Sequence, residues 1–158
     1  MTESPQSRAR ARALRMLAAR PRTEAQIRER LARAGFAEEV PDVVEWLRRL
    51  GYLDDAAYAR DRARSLVAPG RLGPRLAEAR LVAAGVPRDA ARRAVGEALG
   101  QDELSRCRTL AERRARAPLA TLDDRARARL GRFLLGRGFS GRAVSAALGV
   151  YVDDGEER

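Results

Sequence analysis

The chain has 158 residues, enough for one ordinary domain, and a formal net charge of +10 in which every basic side chain is arginine. Alanine, leucine, arginine and glutamate dominate, and aromatic residues make up only 4 %, so the composition predicts an all-α protein. The chain has no histidine and a single cysteine, Cys107, which excludes histidine-based catalysis, an intrachain disulfide and a thiolate metal cluster.

Helical periodicity, N-caps and closing glycines predict nine helices. In chain order they span about residues 8–19, 24–34, 38–50, 55–67, 74–84, 87–99, 103–116, 122–137 and 141–148. Leu14, Leu17 and Ala18 form the predicted apolar stripe of the first helix. Asp102 and Thr121 are the predicted N-caps of the seventh and eighth helices.

One pattern, a leucine, three residues, a glycine and an apolar residue, occurs three times in the chain. It begins at Leu31, Leu81 and Leu134, and its glycines, Gly35, Gly85 and Gly138, lie 50 and 53 positions apart. A period near 50 predicts a tandem array of three three-helix repeats, over residues 8–53, 54–100 and 101–150. Residues 1–7 and the acidic tail 151–158 are expected to be disordered.

Equivalent positions of the three repeats are expected to fill three similar interiors. They are Ile27, Ala77 and Leu130 on the middle helix of each repeat, and Val44, Ala94 and Ala147 on the following helix. Because the second and third repeats place alanine where the first has valine, their helices should pack closer but bury less area.

Membrane and secretory roles are not favoured by the sequence. No apolar run approaches the roughly 18 residues that span a bilayer, and the N-terminus lacks the apolar segment of a secretory signal. We therefore expect a cytoplasmic protein without a membrane partner. The arginine content is typical of a GC-rich genome, but the basic balance also favours an acidic partner, either nucleic acid or an acidic protein surface.

The residue types that catalysis requires are weakly represented. The carboxylate pairs Asp54-Asp55 and Asp123-Asp124 could hold Mg²⁺, but both precede helices, where aspartate is a favoured cap, and capping is the preferred interpretation. Cys107 lies in a helical pattern and is interpreted as a small buried hydrophobe. No phosphate-binding glycine loop is present.

Arginine is concentrated in the third repeat, where residues 102–150 hold 11 arginines against 5 acidic residues. At about 100° per residue, Arg125, Arg129 and Arg132 share one helical face, and we predict a polyanion or acidic-protein contact there. Further candidates are Arg113, Arg114 and Arg116 just before it, and Arg8, Arg12 and Arg15, together with Arg10, near the N-terminus.

A second interpretation of the arginines is a solvated surface with helical ion pairs. It accounts well for the first repeat, where the pairs Glu24–Arg28, Glu29–Arg33 and Glu45–Arg49 are predicted.

Two further functions also stay open. A helix, a glycine turn and a helix occur in helix-turn-helix transcription regulators, and a basic array could bind nucleic acid without sequence preference.

Three motifs in the right order resemble those of the RecX regulatory proteins and together cover about residues 10–148. The first is Gly51-Tyr52-Leu53-Asp54-Asp55 followed by Tyr58-Ala59. The second is Gly73-Pro74 with Leu81 and Gly85-Val86 downstream. The third is the run from Arg132 to Ser140, which includes Gly138-Phe139.

The resemblance implies an elongated, curved array of three-helix repeats whose partner is the RecA recombinase filament on single-stranded DNA. It implies a non-enzymatic modulator that hinders filament growth and damps the filament's activities, and we expect it to be a monomer without a cofactor. We interpret the motif residues as structural: Gly51 ends a helix, Tyr52 and Leu53 fill the joint between repeats, and Asp54 caps the next helix. The chain departs from the usual pattern in its lack of lysine, its Pro41 and its acidic tail.

Overall fold

The computed structural model describes residues 3–100 and 102–150, and within them it contains nine α-helices, one short 3-10 helix and no strand. The predicted all-α class is confirmed; the predicted acidic tail lies outside the described residues. The α-helices are α1 (Pro5–Ala19), α2 (Glu24–Arg33), α3 (Val40–Arg49), α4 (Asp55–Leu66), α5 (Pro74–Ala83), α6 (Arg88–Leu99), α7 (Glu103–Ala115), α8 (Asp124–Gly136) and α9 (Gly141–Leu148), with the 3-10 helix at Leu119–Thr121.

Each set of three consecutive helices encloses its own apolar core, as the predicted tandem repeat requires. The first core is rich in valine and leucine, whereas five of the eleven buried residues of the second are alanine. The third core includes Cys107, Leu134 and Phe139. The predicted equivalent positions are all buried: Ile27, Ala77, Leu130, Val44, Ala94 and Ala147.

The first helix differs from its prediction at both its start and its buried face. It begins at Pro5, because the Ser4 side chain accepts a hydrogen bond from Ser7 N and caps it, so residues 5–7 are helical and not disordered. Its fully buried residues are Ala9 and Ala13. The predicted stripe lies at the edge of the core, where Leu14 and Leu17 are half-buried and Ala18 is exposed.

Two predicted caps of the third repeat are also corrected. Helix α8 begins at Asp124, and its N-cap is Asp123, whose carboxylate accepts from Ala126 N at 2.7 Å. The predicted cap Thr121 instead ends the preceding 3-10 helix. At the start of α7, Asp102 is the N-cap residue but caps no backbone group with its side chain, which pairs with Arg106 at 3.5 Å.

The middle helices of the three repeats, α2, α5 and α8, meet end to end. At the first joint, the Thr23 hydroxyl at the N-terminus of α2 donates to the carbonyl of Ala84 at the C-terminus of α5. Thr23 is fully buried, and its hydroxyl also accepts from Gln26 N within its own capping box. Across the same joint, Glu24 N donates to the Asp55 carboxylate at 2.9 Å.

The second joint repeats this arrangement with backbone groups. Gly73 N, at the N-terminus of α5, donates to the carbonyl of Arg137 at 2.8 Å, and Arg75 N donates to that of Gly138 at 3.0 Å. Both carbonyls follow the last turn of α8. The N-terminus of one middle helix thus donates to carbonyls at the C-terminus of the next, so the positive end of one helix dipole lies against the negative end of the other.

The repeat glycines Gly85 and Gly138 are required at these joints because neighbouring repeats touch their backbones. A Cβ on Gly85 would lie 2.3 Å from Ala25 Cβ, and one on Gly138 would lie 2.5 Å from both N and Cβ of Leu76. Gly35, the equivalent residue of the first repeat, has the same left-handed conformation but no atom within 4 Å of the Cβ position.

Within the described part of the chain, no helix is both long and apolar enough to cross a membrane.

Substitution of the repeat glycines should separate the energetic cost of a left-handed backbone conformation from the cost of the close contact between repeats. We expect Gly35→Ala to cost about 1–2 kcal/mol of unfolding free energy, the penalty of a left-handed alanine. Gly138→Ala should cost about 1–3 kcal/mol more, because the added methyl group collides with backbone and side-chain atoms of Leu76. Urea unfolding followed by circular dichroism measures both; equal losses in the two variants would contradict the head-to-tail joint.

Candidate nucleic-acid and partner interface

An arginine face lies on α8, formed by Arg125, Arg129 and Arg132. All three side chains are exposed, on the side of the helix opposite the buried Leu130 and Leu134. Among the described residues none of the three forms an ion pair, so their charges stay available to a partner. The structure contains these three residues on one solvent-facing surface of the helix, as predicted. Their role in binding stays a prediction.

The arginines that end α7 do not form one cluster. The Arg114 guanidinium lies 5.2 Å from the centroid of the Phe133 ring, a cation–π contact that brings it beside the arginine face. Arg113 points toward the preceding repeat, with Nη1 3.0 Å from the Cβ position of Gly70. Arg116 is exposed and ends α7 in a left-handed conformation.

The N-terminal arginines are divided between solvent and core. Arg8, Arg12 and Arg15 follow helical spacing on α1 and are exposed, so they form a second basic stripe in the first repeat. Arg10 differs, since its guanidinium stacks on the Trp46 ring at 4.9 Å and is partly buried. It is therefore a packing residue of the first repeat.

Ion pairs neutralise much of the remaining first-repeat surface. Glu24 binds both Arg28 and Arg48 at 2.8 Å, and Glu29 binds Arg33. Burial alone would raise the pKa of Glu24, but the hydrogen bonds from the two arginines outweigh it and hold that pKa below its usual value. The predicted pair of Glu45 with Arg49 is wrong, because Glu45 contacts Arg48 at 3.8 Å instead.

The two carboxylate pairs are used by helix N-termini. Asp54 accepts from Ala57 N at 2.8 Å and caps α4, as Asp123 caps α8. Asp55 is engaged by Glu24 N across the first joint, and burial, reinforced by the charges of Glu24 and Asp54, raises its pKa. The described residues contain no group of three or more potential metal-ligating side chains.

The motif around Gly51 lies at the first joint and departs from its predicted role at Tyr52. Gly51 ends α3 with positive φ, and Leu53 packs against the first core. Tyr52, predicted to fill the joint, is 55 % exposed. It lines, with Tyr58, an open cleft of about 1140 Å³ between the first and second repeats. This cleft was not predicted from the sequence, in which the leucine stripe of α1 was the signal for it.

Three repeats that share a core plan and join through their middle helices define a tandem three-helix repeat protein. Two family models match its ends, the first three-helix domain of RecX over residues 9–47 and the third three-helix domain of RecX over residues 101–148. The chain belongs to the RecX family of regulatory proteins.

Relatives of similar length match almost the whole chain. The regulatory protein RecX of Syntrophotalea carbinolica is 36 % identical, covering 96 % of this chain and 98 % of the relative. That of Thermus thermophilus is 37 % identical, covering 95 % and 96 %. The crystal structure of RecX from Lactobacillus salivarius has a TM-score of 0.81 over 92 % of this chain at 20 % identity, which shows the shared fold.

Cys107 should be chemically inert in the folded protein. Its side chain is fully buried in the third core, and burial, with the nearby Glu103 carboxylate, raises the pKa of the thiol to about 12. At pH 8 only about one thiol in 10,000 is then a thiolate. We expect a disulfide reagent such as DTNB to label the native chain far more slowly than the urea-unfolded chain; equal rates would contradict this burial.

Proposed function

We propose that this chain binds the RecA filament on single-stranded DNA, inhibits its growth and its activities, and catalyses no reaction of its own. Membership of the RecX family over nearly the whole chain is the observation that carries this proposal. In this proposal the chain acts in the cytoplasm, as a monomer and without a cofactor.

The arginine face of α8 is the surface we assign to the filament. Three exposed guanidinium groups on one rigid helix present planar hydrogen-bond donors, which fit phosphate or carboxylate oxygens in pairs. Because no acidic neighbour among the described residues neutralises them, they would bind an anionic partner without first breaking an ion pair. Arg114, held beside them by Phe133, would extend the contact.

The repeat array supports a partner that is itself long. Its units are joined in series through α2, α5 and α8, so surfaces on successive repeats can contact successive parts of a polymer. A nucleoprotein filament offers such a repeating surface. The basic stripe on α1, far from α8 along the chain, would then be a second point of attachment.

The proposal is tested by measuring ATP turnover of RecA on single-stranded DNA while this chain is added. We expect turnover to fall as the chain approaches stoichiometric ratios to RecA. No effect at those ratios would contradict the proposal. Tight, sequence-selective binding to duplex DNA would instead support a transcription regulator.

Removal of the arginine face should weaken inhibition without unfolding the chain. We expect Arg125→Ala, Arg129→Ala and Arg132→Ala together to raise the concentration for half-inhibition about tenfold, equivalent to about 1.4 kcal/mol. The residues are exposed and alanine favours helices, so the melting temperature should change little.

The matched control removes the same charge from exposed positions on another helix, through Arg88→Ala, Arg92→Ala and Arg93→Ala on α6. Equal weakening by the two triple variants would show a net-charge effect and remove the α8 face from the interface. If α8 contacts phosphates, its variant also shows a shallower dependence of affinity on salt, because fewer counterions are released on binding.

A further inference from the structure

The cleft between the first and second repeats has apolar walls that the fold leaves open. One wall is the C-terminal half of α1, with Leu14 and Leu17, and the other is α4, with Ala57 and Tyr58. The C-terminal end of α5 closes it, and Tyr52 stands at its side. Its volume of about 1140 Å³ is large enough for several side chains of a bound segment.

Positive charge surrounds this apolar surface. Arg20, Arg62 and Arg80 are exposed at the cleft. These arginines outnumber the two acidic side chains that line the cleft, of which Asp54 caps α4 and Asp61 lies 3.5 Å from Arg64. The cleft therefore combines aliphatic walls with a rim of cationic groups.

Arg22 adds a buried donor to the cleft. Its Nε donates to the carbonyl of Met16 at 3.3 Å, but its Nη1 is shielded from solvent and has no hydrogen-bond partner in the described structure. Burial and the neighbouring charges of Arg20 and Arg30 lower its pKa. A carboxylate entering the cleft would offset the crowded positive charge of these arginines.

We propose that the cleft docks an amphipathic segment of a partner protein, with apolar side chains against Leu14, Leu17 and Tyr58 and acidic side chains toward Arg20, Arg22, Arg62 and Arg80. A single strand of nucleic acid fits less well, because it would bring phosphates against aliphatic walls, and two tyrosines form no extended stacking surface. This surface is separate from the α8 face, and the proposal holds whichever partner that face meets.

Selection from a random 16-residue peptide library on the full chain tests the proposal. We expect enriched peptides to carry acidic residues together with apolar residues at helical spacing. The cleft variant Tyr52→Ala/Arg62→Glu/Arg80→Glu should bind the enriched peptides at least tenfold more weakly by fluorescence anisotropy. Its substitutions are all at exposed side chains, and its circular dichroism melt confirms that it folds.

The control variant Leu50→Ala/Arg60→Glu/Arg92→Glu makes matching changes outside the cleft; Leu50 is 53 % exposed, like Tyr52. It should retain full peptide binding. No enrichment, enrichment of basic peptides, or equal losses in both variants would overturn the proposal. Binding of a labelled dT16 strand that the cleft variant loses would also overturn the proposal and would assign the cleft to nucleic acid. Self-association in sedimentation that only the cleft variant loses would overturn it as well and would assign the cleft to a second copy of the chain.

Discussion

The contact between the C-terminal carbonyls of one middle helix and the N-terminus of the previous one organises the whole molecule. A helix end leaves carbonyl groups without intrahelical partners, and here Thr23 and Gly73 supply the donors. The approach is so close that the backbone at Gly85 and Gly138 can carry no side chain. The repeated glycine, the strongest signal in the sequence, is therefore a requirement of contact between repeats as well as of helix termination.

This joint divides the arginines into two groups. Near the second joint, Arg137 donates two hydrogen bonds to the carbonyl of Arg71, and Arg106 donates to that of Val67. These side chains hold repeats together and are not available to a partner. Because the joints involve helix ends, the outward side of α8 is not covered, and Arg125, Arg129 and Arg132 keep their charges exposed. Net charge alone could not separate these two groups.

Many features decided within one helix turn were predictable from the sequence, although the predicted cap at Thr121 and the predicted pair of Glu45 with Arg49 were wrong. The capping box at Thr23, the glycine ends and the shared face of Arg125 and Arg129 depend on spacing alone. The joints were not predictable, because Gly73 donates to a carbonyl 64 positions away. The exposure of Tyr52 and the edge position of Leu17 likewise depend on how far α1 and α4 stand apart, which no local pattern encodes. The cleft was missed for that reason.

The residue that begins the middle helix differs between the three repeats. Thr23, Gly73 and Asp123 occupy the equivalent N-cap position, 50 residues apart. A hydroxyl can accept from its own helix and still donate to a neighbour's carbonyl, and Gly73 donates its N–H. An ionised carboxylate can only accept, so the Asp123 side chain serves the N-terminus of its own helix, where it accepts from Ala126 N.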